Sequence, residues 1–371
     1  MRTENSLYGP NGQILDLDGD GATAALYYCE NLALGRRAAL ALPASAQEKT
    51  KLRVMGMPLS TGNILKNREQ PFFENFAKKT GLPIEMDYKT LDSTGIKEFE
   101  QLRVMKTGLF DIVGLRMGQV SRDEPTILGL DLVGLNTDYK MAKKVVTAYQ
   151  DFVDLRLQQQ FNTKLLGVWP FGPQIIFCKP VIKDLTSLKG LKVRILDGVM
   201  AKFMEKVGAT PVTMAFGEVA QALSLGTIDC AVTGPSSANS AGWPESATHV
   251  YALGLQVAVQ GYAINMNSWK KLPTDQQQKL RTAIEGLTDD IWKYSEELWS
   301  DGMRCNLGQD PCTTGKKYKM TLVKPTAKDL AFVQGAVREI SLPAWSEACD
   351  KVNPGCSDSW KKVVGPLVGM K

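Results

Sequence analysis

The sequence predicts an α/β protein of two lobes joined as a hinged clam. Three observations carry this. At 371 residues the chain exceeds the roughly 250–300 residues over which a single core keeps growing. From Lys51 onward, strand and helix patterns alternate, the mark of α/β architecture. No internal repeat or low-complexity linker separates the halves, so the chain is expected to cross between lobes several times rather than run as beads on a string.

The elements follow in order. Lys51–Met57 reads as a strand ending in the turn-rich Pro58-Leu-Ser-Thr-Gly-Asn63. Glu69–Thr80 reads as a helix stopped by Gly81, Pro83–Leu91 as a strand, and Gly95–Thr107 as a helix stopped by Gly108. Phe110–Leu115 is a buried strand followed by Arg116. Tyr139–Phe161 is a long amphipathic helix; Leu165–Trp169 and Gln174–Lys179 are strands. Leu185–Asp229 adds two strands with helices between, and Ile228–Thr233 and Gln260–Met266 are further strands. Thr274–Met303 is a long helix with Thr274 as its N-cap. On this reading lobe 1 is residues 47–165 with a return over 260–303, and lobe 2 is residues 166–260. Residues 304–371 form a C-terminal helical tail with two cysteine loops.

Residues 1–46 read as a leader outside the fold. They end in a twin arginine, a short apolar stretch and Ala44-Ser45-Ala46, a cleavage pattern with Gln47 next. Within them Asp16-Leu-Asp18-Gly-Asp20-Gly21 mimics the start of a calcium loop. The twelfth position is Tyr27 where a bidentate glutamate is needed, so an acidic turn is the better reading.

Composition narrows the function classes. Apolar residues make up 44% and charged residues 22%, the proportions of a soluble globular domain. No uncharged apolar run reaches the roughly 18 residues of a membrane span. The net charge of +5 is spread among acids without a basic stripe, which argues against nucleic acid as a partner. Cys305/Cys312 and Cys349/Cys356 close two C-x6-C loops, each containing Pro and Gly. Zinc knuckles use tighter pairs, usually with histidine, and the chain has one histidine, His249. Two local disulfides and an oxidising compartment are therefore expected, rather than four buried thiols. Cys178 and Cys230 are open between a third bridge and buried thiols.

Chemistry concentrates in Leu185–Asp229. Arg194 lies in the apolar strand Leu191–Ile195, and Phe216-Gly-Glu-Val opens a helix nearby. A cation at a strand end beside a helix N-terminus suits a small anion. Catalytic patterns are lacking: no G-x-S-x-G elbow and no G-x-G-x-x-G after the first strand. No metal, cofactor or enzymatic turnover is expected.

Asp184-Leu-x-x-Leu-Lys-Gly-Leu-Lys-Val-Arg194, Gly208-Ala-x-Pro211, Phe216-Gly-Glu-Val and Gly226-x-Ile-Asp229 resemble the solute-binding proteins of TRAP transporters, the DctP type. The resemblance covers nearly all of residues 50–345. It implies a periplasmic-binding-protein-like clamshell, α/β, with a long interlobe helix and a helical C-terminal tail. It further implies a periplasmic location, a small organic acid as ligand and the membrane subunits of a TRAP transporter as partners. The family's carboxylate-binding arginine falls on Arg194. A second arginine common in relatives falls by spacing on Gln174, and the usual Glu-Asn-Pro on Val232-Thr233-Gly234-Pro235. These departures turn the expectation toward a monocarboxylate with a hydroxyl, keto or aromatic group. The alternative is the ligand-binding protein of an ABC importer or a sensor.

The candidate site follows from residue chemistry. Arg194 can fork onto a carboxylate, where its plain alternative is an ion pair at a strand end. Gln174 both donates and accepts, or is an edge-strand polar group. Arg116 ends a buried strand, where open α/β sheets bind ligands, or pairs across the surface. Trp169, Phe171, Phe216 and Trp243 wall a pocket or fill core. Thr61, Thr233 and Asn239, with Ser60 and Ser237, lie on loops able to hydrogen-bond a ligand.

Overall fold

The computed structural model describes residues 49–369. The leader, its acidic turn and Cys29 lie outside the described residues. Among these are eleven strands: β1 (Thr50–Met55), β2 (Ile84–Lys89), β3 (Ile112–Leu115), β4 (Thr163–Pro173), β5 (Ile175–Cys178), β6 (Lys192–Ile195), β7 (Thr210–Thr213), β8 (Cys230–Thr233), β9 (His249–Tyr251), β10 (Val257–Asn265) and β11 (Thr321–Val323). They form two sheets, ordered β2-β1-β3-β10-β4 and β11-β9-β5-β8-β6-β7. Each sheet is the floor of one lobe.

The crossing between lobes lies at Gln174, not at 165/166. Residues 163–173 run as a single strand against β10, with irregular register between Ala258 and Val259 and between Tyr262 and Ala263. Gly167, Pro170 and Gly172 look like breaks in sequence, and the bulges absorb them. The return crossing is hydrogen-bonded to the outward one: Gln174 N donates to Gln256 O (2.7 Å) and Leu255 N to Gln174 O (2.9 Å).

Tyr139–Phe161 is helical as expected, capped by Asp138. The helix expected over 69–80 is broken at Asn75, whose amide donates to Pro71 O (3.0 Å) and so competes with the helix ladder. The helix expected from Gly95 starts at Glu98, because Gly95 closes the preceding turn at φ +73°. The long helix spans Thr274–Leu307. Thr274 is its first residue rather than its cap, which is Pro273. It ties to both lobes: Trp292 Nε1 donates to Val168 O (2.9 Å) and Asn306 Nδ2 to Pro235 O (3.0 Å).

The tail differs from a purely helical appendage starting at 304. Cys305 still belongs to the long helix, and β11 completes the second sheet. The helices that follow pack on both lobes: Val333, Ala336 and Ile340 enter the second lobe's core, Trp345 and Trp360 the first's. Both cysteine loops are bridged, Cys305–Cys312 and Cys349–Cys356, and so is Cys178–Cys230 between β5 and β8. Among the described residues no helix is long and apolar enough to cross a membrane.

Candidate functional site

The strand ends of the two sheets face each other, and the predicted side chains sort into those that meet there and those that do not. In β6, Val193 and Ile195 enter one core face. Strand alternation turns Arg194 to the other, where Phe216 and Trp243 lie. The residue is 1% exposed. Nη1 donates to Val232 O (3.2 Å), and Nε and Nη2 to Met214 O (3.4 and 3.3 Å). Arg116 follows β3 in the first lobe and is 7% exposed. Its backbone N–H is held by Gln101 Oε1 (2.8 Å), but Nε and Nη1 have no partner. Neither arginine pairs with a carboxylate within 4.0 Å among the described residues.

Phe216 lies between them, with its centroid 5.8 Å from Arg194 Cζ and 5.6 Å from Arg116 Cζ. Such cation–π contact eases burial without neutralising the charge. Phe171 lies 5.1 Å from Arg116 Cζ and meets Trp169 edge-on at 4.9 Å. Trp243 packs on Phe216 at 5.3 Å. Six predicted residues, three from each lobe, thus form one cluster of two cations and four aromatic rings. Burial pulls the Arg194 guanidinium down to about 10, and the Arg116 charge adds to the shift. Burial lowers Arg116 as well.

The other candidates sit differently. Gln174 is the crossing residue, and its amide donates to Gly172 O (2.8 Å). Thr61 donates to Pro58 O (2.5 Å). Thr233 is buried at the end of β8, in register with Ile175. Asn239 leaves the ligand set: Nδ2 donates to Asn306 Oδ1 and Lys316 O (both 2.8 Å), and Oδ1 accepts from Lys316 N (2.9 Å). That amide anchors the segment after the Cys305–Cys312 loop. His249 bonds its neighbour Thr248 (2.7 Å).

Three further candidates near the cluster escape sequence reading. Glu98 is buried, and its Oε1 accepts from Phe216 N (3.3 Å) across the lobe interface; in sequence it is one charge at a helix start. Asp197 caps the helix Gly198–Lys206 through Met200 N (2.8 Å), and its Oδ2 is unpartnered. Burial pushes it up to about 6, against the helix N–H groups of Met200 and Val199 and, more weakly, Gln256 and Arg194. Gln260, inside the apolar run Val257–Asn265, is 4% exposed with Oε1 unpartnered. A cavity of about 960 Å³ opens between the lobes, lined in part by Lys97, Gly118, Asp197, Met214, Ala215 and Trp345; its lining includes none of the six cluster residues.

The lobes touch at both rims of this cleft. Lys97 pairs with Glu218 (3.2 Å) at one, and Asn63 Nδ2 donates to Thr314 O (2.8 Å) at the other. The arrangement can enclose a small anion, with buried donors on both sides and aromatic walls.

Residues 55–306 match the family model described as bacterial extracellular solute-binding protein, family 7, DctP. The chain is 30% identical over 162 residues to the C4-dicarboxylate-binding periplasmic protein DctP of Rhodobacter capsulatus, covering 43% of this chain and 48% of that protein. It is 32% identical over 108 residues to a monocarboxylate 2-oxoacid-binding periplasmic protein of Nostoc sp., covering 28% and 29%. The chain therefore matches less than half the length of these relatives. The crystal structure of a TRAP periplasmic solute binding protein from Desulfovibrio salexigens with bound orotic acid is similar over 86% of this chain and all of that one. Its TM-score is 0.75 at 13% identity, a likeness of fold.

Proposed function

The chain belongs to the family 7 bacterial extracellular solute-binding proteins, the DctP family, and from that premise we propose that it captures a small monocarboxylate outside the cytoplasm and delivers it to a TRAP-type transporter. The observation that carries this is the pair of buried guanidinium groups, one per lobe, without a carboxylate partner. Burying an unpaired charge costs several kcal/mol, and two such charges also repel. A carboxylate between them relieves both terms, and a charge-assisted bond of this kind is worth about 1.5–3 kcal/mol net. Because the two groups come from different lobes, the anion favours the closed form, which is ligand capture by population shift.

Glu98 acts on both arginines, Asp92 and Glu69 add to it at Arg116, and Asp197 at Arg194. With these acids already around the cluster, one carboxylate suits it better than two. Arg116 takes the part that a second arginine near Gln174 plays in relatives. The aromatic rings suit a compact organic body. The acid is released unchanged, with the periplasm as the site of action.

A thermal-shift screen of the purified protein tests the reading, with small monocarboxylates, C4-dicarboxylates, sugars and amino acids as probes. A monocarboxylate at 100 times its Kd adds roughly 2.7 kcal/mol of apparent stability. Stronger binding of a dicarboxylate overturns the monocarboxylate assignment, and a response to sugars alone overturns acid capture.

A further inference from the structure

Glu98 opens the helical run that ends at Thr107, and one turn later the same side of that run carries Gln101. Both are buried, at 4% and 0% exposure. Gln101 fixes the run against the end of β3: its Nε2 donates to Gly114 O (2.8 Å) and its Oε1 accepts from Arg116 N (2.8 Å). Residues three apart on a helix are neighbours, so Glu98 is held on the side that faces Arg116. From the second lobe, Phe216 N donates to Glu98 Oε1 (3.3 Å), and the Phe216 ring lies 5.6 Å from Arg116 Cζ and 5.8 Å from Arg194 Cζ. The carboxylate thus abuts the residue interposed between the two guanidinium groups.

Glu98 forms no ion pair within 4.0 Å among the described residues, and its neighbour Lys97 is taken by Glu218 (3.2 Å). Glu98 therefore acts on the arginines at a distance and leaves Arg116 Nε and Nη1 open to a ligand. Coulomb attraction needs no contact; it falls off as the inverse of distance and is strongest where water is excluded. Burial is the largest influence on each arginine. Of the carboxylates that oppose it, Glu98 is common to both and strongest at each, ahead of Asp92 and Glu69 at Arg116 and of Asp197 at Arg194. Bonding Phe216 N does not require a charge, since a neutral amide oxygen also accepts, and a buried carboxylate costs more to desolvate. What the charge adds is its field at the arginine pair. That field eases the repulsion between the two cations, and it repels each incoming carboxylate, so a dianion meets the repulsion twice.

We propose that Glu98 is a specificity-determining residue: fixed by Phe216 N next to both arginines, its buried charge discriminates against ligands that carry a second carboxylate. This rests on acid capture by the two arginines, given above. Specificity of this kind is built against the wrong ligand rather than toward the right one.

The test is calorimetric titration of the full chain with acids matched in carbon number: propionate against malonate, and butyrate against succinate. In the pair that binds better, the parent is expected to take the monoacid at least about tenfold tighter. Glu98→Gln keeps an oxygen for Phe216 N and removes the charge, so it should move the affinity ratio toward the diacid by at least about tenfold. Glu98→Ala should move the ratio the same way with weaker binding of both acids, because Phe216 loses its anchor; it serves if the Gln variant does not fold. Glu245→Gln removes an exposed acid paired with Lys316 and should leave the ratio unchanged. A diacid preference in the parent, an unchanged ratio in the Glu98 variants, or an equal shift in Glu245→Gln overturns the role of Glu98 and leaves acid capture standing. No binding of any acid overturns both.

Discussion

Arg194 rests against two backbone carbonyls while Arg116 holds two buried N–H groups toward nothing, and the contrast separates what each contributes. Arg116→Met removes a buried, unpaired charge, so the apo melting temperature is expected to hold or rise. Arg194→Met leaves the carbonyls of Met214 and Val232 without donors, so its apo form is expected to be less stable by about 1–3 kcal/mol. Both variants should lose at least about tenfold in affinity for the acid, matching 1.5 kcal/mol or more per charge-assisted bond. Melting and titration of the two side by side check this; full affinity in Arg116→Met sinks the two-cation site. Asp197 gives a second prediction at this scale. Its folded pKa of about 6 stands above the ordinary 3.8. Between those values the unfolded chain has given up the proton and the native protein has not. Stability from this group is therefore full below about pH 4 and is lost as pH rises through 6. Burial and then Asp197 raise Asp131 as well, so it adds a decline of the same sign as pH rises. Thermal melts of the apo protein from pH 4 to 7 should show Asp197→Asn with a shallower decline than the parent. Equal slopes would mean Asp197 is solvated.

Among the elements, the disulfides make the clearest quantitative claim. Cys178–Cys230 closes a separation of 52 residues, and the other two close 7 each. Loop-closure entropy assigns about 4 kcal/mol to the first and about 2.5 kcal/mol to each of the others. Paired Cys→Ser variants compared by urea unfolding should follow that order; a larger loss at Cys349/Cys356 would mean that packing of Trp345 and Trp360, not chain entropy, sets the scale. The elements also separate what is legible in sequence from what is not. The helix Tyr139–Phe161 is readable to the residue, because local signals, the Asp138 cap and an apolar stripe, agree with its packing. β4 is not readable as one strand, because its continuity comes from β10, a partner about ninety residues away. Arg194 stands out because a cation in an apolar strand is locally anomalous. Gln260 does not, since in Val257–Asn265 a single amide looks like tolerated polarity, and only the register with Trp169 shows what it faces. Asn239 errs in the other direction: its loop position suggested a ligand, whereas its three bonds run to Asn306 and Lys316, contacts with no trace in local sequence.

For the whole molecule the question is what holds the lobes together around the ligand. The rim pair Lys97–Glu218 is about half exposed on both sides, and pairs of that kind contribute about 0–1 kcal/mol. The opposite rim is built differently. Gly62 adopts φ +80°, and a Cβ placed there would lie 2.1 Å from Ser240 Oγ and 2.5 Å from its Cβ. Nearby, Asn63 reaches Thr314 O in the segment that Asn239 pins to the second lobe. The approach of the lobes seen here therefore needs bare backbone at Gly62 against the helix Pro235–Ser240. Gly62→Ala should hold the lobes apart while leaving both cores and the arginines intact. Left-handed backbone at that position adds strain of its own. Small-angle scattering of the parent should show contraction on saturation with the acid, and Gly62→Ala should show little. Release measured by stopped flow should be faster by at least about tenfold in Gly62→Ala, because closure contributes to residence time. Lys97→Ala should stay within about threefold of the parent, as its exposed ion pair implies. If Lys97→Ala releases as fast as Gly62→Ala, the charged rim rather than the glycine rim holds the closed state. If Gly62→Ala contracts normally, the close approach at Ser240 is not required for closure, and capture rests on the two arginines alone.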